Sequence, residues 1–238
     1  MPNAIVLREY GNSDLLRLQP ITLARPKKTE ILVRQTAIGV HFHDIYVRSG
    51  LYKTLDLPGI PGLEAVGIIE EIGAGVDDFK KGDKIGYITK NYGAYSSHRI
   101  LDKNLAVKIP DFISDEIMAT NFSRANTVQM LIDQVTKLND SDTVLITAAT
   151  GGIGRIFSKW AKSKGAIVIG TVGSNEKISI AKSYGCDHTL TYHQKDFTEK
   201  VLELTNGKGV DKVFDSVGKD TFENSLKSIK VCGHLINF

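Results

Sequence analysis

The stretch "TVLITAATGGIGRIFSKWAKSKGAIVIGTVGSNEK", Thr143 to Lys177, decides the fold. Thr143–Ala148 is a short apolar run of strand length. It enters a glycine turn, and the chain leaves that turn with Ile153, Ile156, Phe157, Trp160 and Ala161 at i, i+3, i+4, i+7 and i+8. That spacing puts five apolar side chains on one face of a helix over Ile153–Lys164, with Gly165 placed to end it. A second β-branched run, Ile167–Thr171, follows at once. Strand, turn, helix, strand in this compass is a parallel βαβ unit.

The same rhythm continues toward the C-terminus. Glu176–Tyr184 reads as a helix stopped by Gly185, Thr189–Tyr192 as a strand, and Phe197–Leu204 as a helix. Val210–Val217 is a fourth strand, Thr221–Ile229 a fourth helix, and His234–Phe238 the start of a fifth strand. Upstream, Ser114–Leu138 reads as one helix, with Ser114 as N-cap and acidic residues in the first turn. Before Pro110 the rhythm differs. "EILVRQTAIGV" (Glu30–Val40), "AVGIIEEIGAGV" (Ala65–Val76), Lys84–Ile88 and Gly93–Asp102 are strand-like, separated by glycine turns, with little helical periodicity. The expected class is α/β: an irregular β unit followed by a doubly wound parallel sheet. The expected division is residues 1–118 and 119–238.

Composition narrows the function. The net charge of +3 falls well short of a nucleic-acid footprint, so nucleic acid is not an expected partner. Lys27-Lys28 and Lys80-Lys81 are pairs suited to solvated turns. The only cysteines, Cys186 and Cys232, cannot build a four-cysteine zinc lobe. The apolar run at the N-terminus is broken by Arg8 and Glu9, and no run reaches membrane-spanning length. The expected location is cytoplasmic.

The turn itself carries chemistry. Ala149-Thr150-Gly151-Gly152-Ile153-Gly154 has the G-x-G-x-x-G spacing with alanine in the first place. Gly151 lets the backbone approach a pyrophosphate, Gly154 lets the helix press on its strand, and the free N–H groups at the helix start face the anion. An NAD site places Asp or Glu about 20 residues further on, at the tip of the second strand. Here that tip reads Gly173, Ser174, Asn175, with Glu176 set back into the next helix. Lys177 and Ser174 suit a 2′-phosphate instead, which favours NADP(H).

Several ordered segments are similar to the zinc-independent quinone oxidoreductases of the medium-chain dehydrogenase/reductase superfamily, the zeta-crystallin-like group. They are "AIGVHFHDIYVRSGLY" (Ala37–Tyr52), "PGIPGLEAVGIIEEIGAGVDDFKKGDKIGY" (Pro58–Tyr87), "GAYSSHRIL", "AATGGIG", "GTVGSNEKISIAKSYGCDHTLTY" and "VDKVFDSVGKDTFENSLKSI". The resemblance implies a GroES-like β domain followed by a Rossmann domain, with the active site in the cleft between them. It implies cofactor contacts at Tyr46, Thr127, Thr150, Gly151, Gly152, Ile153, Gly173, Ser174, Lys177, Tyr192 and Ser216. Zinc-dependent relatives carry a cysteine near position 41 and a histidine beside the glutamate of "GLEAVG". Here His41 and Leu63 stand there, so no zinc is expected. Two further departures are His41 where the group commonly has asparagine, and "RANT" (Arg124–Thr127) where it has "KG-x-T".

The resemblance implies NADPH-dependent reduction of a quinone, with reduction of an α,β-unsaturated carbonyl as a second enzymatic reading. Tyr46, Tyr52 and His41 are the candidates for a proton donor; no firm catalytic residue emerges. Relatives of this type continue beyond about 240 residues to complete a sheet of about six strands. The expected chain is therefore C-terminally truncated. A non-catalytic remnant or a nucleotide- or RNA-binding protein is the alternative. A homodimer is the expected assembly.

Overall fold

The computed structural model describes residues 1–193 and 197–238. The chain divides into two compact units, Met1–Ser123 and Arg124–Phe238. In the first, β1 (Asn3–Val6) pairs antiparallel with β2 (Arg17–Pro20). β3 (Glu30–Ile38) is followed by α1 (Phe42–Ser49), then β4 (Glu64–Ile72), β5 (Lys84–Ile88), β6 (His98–Asp102) and β7 (Ala106–Lys108). These strands form an antiparallel sheet in the order β6-β3-β4-β5-β7. Its core gathers Ile31, Val33, Ala65, Ile69, Ile85, Tyr87 and Leu101. A second cluster, Leu7, Val47, Leu55 and Tyr92, anchors α1.

α1 is a departure from the sequence reading. Its eight residues bury only Asp44 and Val47, so no apolar stripe marks it. Local chemistry holds it instead. The Asp44 carboxylate accepts the His41 backbone N–H at 2.9 Å, and the chain leaves through Gly50 at φ 82°.

α2 (Asp115–Gln129) begins as expected, with Ser114 Oγ accepting the Ile117 N–H at 3.2 Å. It widens into a π-helical turn at Met130–Val135 rather than running regularly to Leu138. The second unit then alternates: β8 (Thr143–Ile146), α3 (Gly152–Ser163), β9 (Ile167–Val172), α4 (Ile178–Ser183), β10 (His188–Thr191), α5 (Phe197–Leu204), β11 (Val210–Asp215), α6 (Phe222–Lys227) and β12 (Ile229–Asn237). All pairs are parallel, in the order β10-β9-β8-β11-β12. The fifth strand starts at Ile229, not His234. Ile229 pairs with Val210, and the ladder resumes at His234–Lys212 after an irregularity in which Cys232 takes φ 61°.

Alternation along each strand sorts side chains to two faces. Val144, Ile146, Val168 and Phe214 pack with Phe157 and Ala161 of α3 and with the Val128–Ile132 region. Leu145, Ile169 and Val213 pack with Phe197 and Val201 of α5. Helices therefore cover both faces of the sheet, which makes it doubly wound. The five predicted residues of the α3 stripe all meet the first of these clusters, and Phe157 lies edge-on to Phe214 at 4.4 Å.

At Gly154, α3 lies close against the turn that follows its strand. A Cβ there would sit 2.3 Å from the Ala148 carbonyl oxygen. Alanine normally stabilises a helix interior by about 1 kcal/mol over glycine, but overpacking against backbone costs about 1–3 kcal/mol. The overlap with a fixed carbonyl decides the sign. Gly154→Ala is expected to lower the urea midpoint by the equivalent of about 1–2 kcal/mol, net of these terms.

Candidate functional site

The turn after β8 is built by three backbone contacts. The Ala149 N–H donates to Thr171 O at 2.8 Å, tying the turn to β9. The Gly151 N–H donates to Ala148 O at 2.8 Å, and Arg155 N–H to Gly151 O at 3.1 Å. Ala148 takes φ 48°, a conformation that non-glycine residues hold only when surroundings enforce it. α3 starts at Gly152 with Gly151 as N-cap, and no side chain caps its N–H groups. Thr150, Gly151, Gly152 and Ile153 are half-exposed while Gly154 is buried. A helix start without a side-chain cap, half open to solvent, is the chemistry an anion requires.

Arg124, a residue whose position sequence reading did not assign, stands at this turn. A Cβ on Gly152 would lie 2.7 Å from Arg124 Nε and 3.1 Å from its Cζ. Thr127, one turn further along α2, is half-buried. The i, i+3 spacing puts it on the same helix face as Arg124. Contact between "RANT" and "GGIG" depends on tertiary packing, which no local pattern announces.

The tips of β9 and β10 bring together the other predicted group. The Tyr192 hydroxyl would lie 3.2 Å from a Cβ at Gly173. Parallel pairing of β9 with β10 puts these strand ends side by side. Ser174 has N-cap geometry for a single 3₁₀ turn, yet its hydroxyl makes no cap hydrogen bond. Lys177 is exposed and has no ion-pair partner among the described residues. Glu176 is exposed on the same turn.

Ser216 follows β11, and Asp215 before it is the hub that sequence reading missed. Asp215 is fully buried. Its Oδ1 accepts Thr147 Oγ1–H at 3.1 Å, Val217 N–H at 2.9 Å and Gly218 N–H at 3.1 Å. Thr221 and Ser225 donate to it at 2.8 and 2.9 Å. Thr147 Oγ1 in turn accepts the Ser216 N–H at 2.9 Å. The loop carrying Ser216 is thus fixed without a cation.

In the first unit, Tyr46 and Tyr52 meet with ring centroids 5.3 Å apart. His43 joins them, its ring 5.5 Å from Tyr52, and its Nε2 lies 3.1 Å from the Tyr92 hydroxyl. His41 goes elsewhere. Its Nε2 sits 2.6 Å from Glu64 Oε2, a carboxylate 1% exposed whose other oxygen accepts the Ser123 N–H at 2.9 Å. No ring or hydrogen-bond contact links it to Tyr46 or Tyr52. A cavity of about 450 Å³ lined by Leu18, Gln35, Ile38, Val40 and Tyr95 contains none of the predicted site residues. Among the described residues, no group of three His, Cys, Asp or Glu side chains comes together to hold a metal. No helix among them is long and apolar enough to cross a membrane.

An antiparallel β unit joined to a doubly wound sheet with this turn is the architecture of the medium-chain dehydrogenases/reductases. Residues 27–111 match the family described as "Alcohol dehydrogenase GroES-like domain", and residues 152–238 the one described as "Zinc-binding dehydrogenase". A quinone oxidoreductase of Pseudomonas aeruginosa is 40% identical over 238 residues, covering 100% of this chain and 73% of that protein. A 2-haloacrylate reductase of a Burkholderia species is 39% identical, covering 98% of this chain and 72% of that one. The crystal structure of Escherichia coli quinone oxidoreductase complexed with NADPH superposes with a TM-score of 0.95 at 38% identity, covering 99% of this chain and 72% of that one. The chain belongs to the quinone oxidoreductases of the medium-chain dehydrogenase/reductase superfamily.

Asp215 gives the second unit an acid limit. Burial pushes its carboxyl up, but the hydrogen bonds from Gly218 N–H, Thr221, Val217 N–H and Ser225 outweigh that and hold it below the ordinary 3.8. The unfolded chain then binds the proton more readily than the folded one. This contribution is complete above the unfolded value and is lost as pH falls through the folded value. Asp187 and Asp211 are displaced in the same direction. Unfolding free energy is expected to decline below about pH 4. Asp215→Asn should cost roughly 1–3 kcal/mol at neutral pH and flatten that decline. Urea titrations at several pH values measure both.

Proposed function

We propose that this chain is an NADPH-dependent quinone oxidoreductase that uses no zinc. The observation that carries the reading is the α3 start without a side-chain cap, with Arg124 against Gly152 and Gly154 pressed on Ala148. A pyrophosphate fits it at Thr150–Ile153, with the N–H groups of Thr150, Gly152 and Ile153 as donors; the Gly151 N–H holds the turn through Ala148 O. The relative from P. aeruginosa is a quinone oxidoreductase, and the E. coli quinone oxidoreductase structure holds NADPH; both support this reading. When bound, the dihydronicotinamide supplies a hydride; the residues of this chain bind and orient it.

In this reading the 2′-phosphate lies among Ser174, Lys177 and Tyr192, beside Gly173. Three features fit it: a hydroxyl not used for capping, a cation without an ion-pair partner among the described residues, and a tyrosine hydroxyl at the neighbouring strand tip. Thr127 and Ser216 serve the nicotinamide-proximal part, and Tyr46 and Tyr52 present an aromatic face to the quinone. The zinc reading lacks ligands. His41 is paired with Glu64 while His43 is bound to Tyr92, and no cysteine joins either.

The domains in this proposal are residues 1–118, GroES-like, and 119–238, Rossmann-like. The location is cytoplasmic and the assembly a homodimer. A second enzymatic reading, reduction of an activated carbon–carbon double bond, is favoured by the 2-haloacrylate reductase among the relatives.

Lys177→Ala tests the nucleotide assignment. A hydrogen bond to a charged group contributes about 1.5–3 kcal/mol, and exposure reduces that. NADPH affinity should fall about fivefold, a loss of about 1 kcal/mol, while NADH affinity stays within about twofold. Fluorescence titration of both nucleotides reads this directly. Equal losses for the two would remove Lys177 from the 2′-phosphate site. Absence of NADPH-dependent quinone reduction in the unsubstituted chain would overturn the function itself.

A further inference from the structure

The Tyr46–Tyr52 ring pair stands beside a line of hydrogen-bonding groups. Tyr52 lies against the His43 ring at 5.5 Å. His43 Nε2 is 3.1 Å from the Tyr92 hydroxyl, and the same hydroxyl is 2.5 Å from Thr54 Oγ1. Thr54 is exposed, Tyr92 is 6% exposed, and His43 lies between these extremes. The line thus runs from solvent through a buried phenol to an imidazole beside two solvent-facing tyrosine rings. His43 Nδ1 has no hydrogen-bond partner among the described residues.

Two features argue that this is more than a satisfied buried tyrosine. One partner is enough for a buried phenol, but Tyr92 has two, one toward solvent and one toward His43. Tyr92 also takes φ 43°, a left-handed conformation that is uncommon for a bulky residue and concentrates where a side chain must be aimed. The stacked His43 and Tyr92 rings, 19° between planes, keep that aim.

We propose that His43 gives the proton that completes reduction of an α,β-unsaturated carbonyl held against Tyr46 and Tyr52, and that Tyr92 and Thr54 resupply it from solvent. This rests on the redox reading above and extends it to a donor. Reduction adds a hydride at the substrate β-carbon, supplied by dihydronicotinamide, and leaves an enolate. The Nδ1–H bond of His43 then breaks, and a C–H bond forms at the α-carbon. In the same shift the Tyr92 proton passes to Nε2, the Thr54 proton to Tyr92, and a water proton to Thr54. One hydride and one solvent proton are consumed. His43 returns to its starting tautomer by exchange with solvent. A reduced quinone has less need of such a donor, because its oxygens protonate from water.

The test uses the whole chain with NADPH and two acceptors, 2-cyclohexenone and 1,4-benzoquinone. His43→Phe keeps a ring against Tyr52, and Tyr92→Phe removes only the bridging hydroxyl. In each, general-acid loss should lower enone turnover by at least about tenfold and lower the enone-to-quinone ratio with it. Thr54→Val should give a smaller loss in the same direction. The solvent deuterium isotope effect on enone turnover should shrink in Tyr92→Phe. Without substrate, the ¹⁵N shifts of the His43 imidazole should move in Tyr92→Phe as Nε2 loses its partner. An unchanged ratio in both variants overturns the proposal, as does an unsubstituted chain that reduces the quinone but not the enone. Failure with both acceptors overturns the reading under Proposed function. In that event imidazole shifts indifferent to Tyr92→Phe would sink the hydrogen-bonded line as well.

Discussion

The contact between Gly154 and the Ala148 carbonyl is what the second unit is arranged around. It brings the first turn of α3 onto the end of β8 closer than any side chain permits. Ala148 accepts a left-handed φ of 48° so that its carbonyl can take the Gly151 N–H and still face Gly154. Below that point Phe157 and Ala161 settle on the sheet, and Phe214 meets Phe157 edge-on. Above it the helix start is left open. Packing and the open helix start are therefore one geometric decision, because the same approach that buries the stripe sets the first N–H groups of α3 at the carboxyl edge of the sheet.

The two ends of the parallel sheet treat charge differently. At the amino ends of the strands, carboxylates ranging from buried Asp142 through half-buried Asp211 to exposed Asp187 are paired with lysines. Asp142 holds Lys212 at 2.5 Å with both side chains under 10% exposed, Lys230 pairs with Asp211, and Lys162 reaches Asp187 at 2.5 Å. Two of these carboxylates also take backbone N–H groups that begin neighbouring strands, Thr143 for Asp211 and Val168 for Asp187. At the carboxyl ends a buried carboxylate, Asp215, is held among the described residues by hydroxyls and N–H groups. A buried ion pair offsets its own desolvation only with good geometry; Asp215 is satisfied instead by neutral donors, three hydroxyls and two N–H groups.

Legibility in the sequence follows how local each interaction is. The alternation of β8, α3 and β9 could be read because apolar period and glycine turns act within a few residues. The Gly151–Gly154 turn could be read for the same reason. α1 could not, since "FHDIYVRS" buries one apolar side chain and exposes Phe42, Ile45 and Tyr46. The early start of β12 was hidden because Ile229 is separated from the rest of its ladder by Lys230–Gly233. Gly173 and Tyr192 were named separately, and adjacency of β9 and β10 made them neighbours. His43 and Tyr92 are 49 residues apart, and Arg124 reaches Gly152 from a different helix. Neither pairing leaves a trace in spacing. His41 could be read as a candidate donor, but the contact of its Nε2 with Glu64, 23 residues further on, could not.

Discrimination at the proposed nucleotide site is a difference between two affinities, and both sides of it can be traced to residues. A ribose 2′-hydroxyl needs an acceptor at the β9 tip, and Gly173, Ser174 and Asn175 offer no carboxylate there. A 2′-phosphate needs donors and positive charge, which Ser174, Tyr192 and Lys177 supply together. Lys177 alone is a weak lever. It is exposed, where an ion pair contributes about 0–1 kcal/mol, and Glu176 beside it works against an anion. Selectivity of tenfold or more therefore requires the less exposed hydroxyls as well as the ammonium. Tyr192 is the firmer of the two, because Gly173 leaves the space its hydroxyl occupies. A Cβ at that position would stand 3.2 Å from the Tyr192 hydroxyl, close enough that the hydroxyl would have to give way by a few tenths of an ångström.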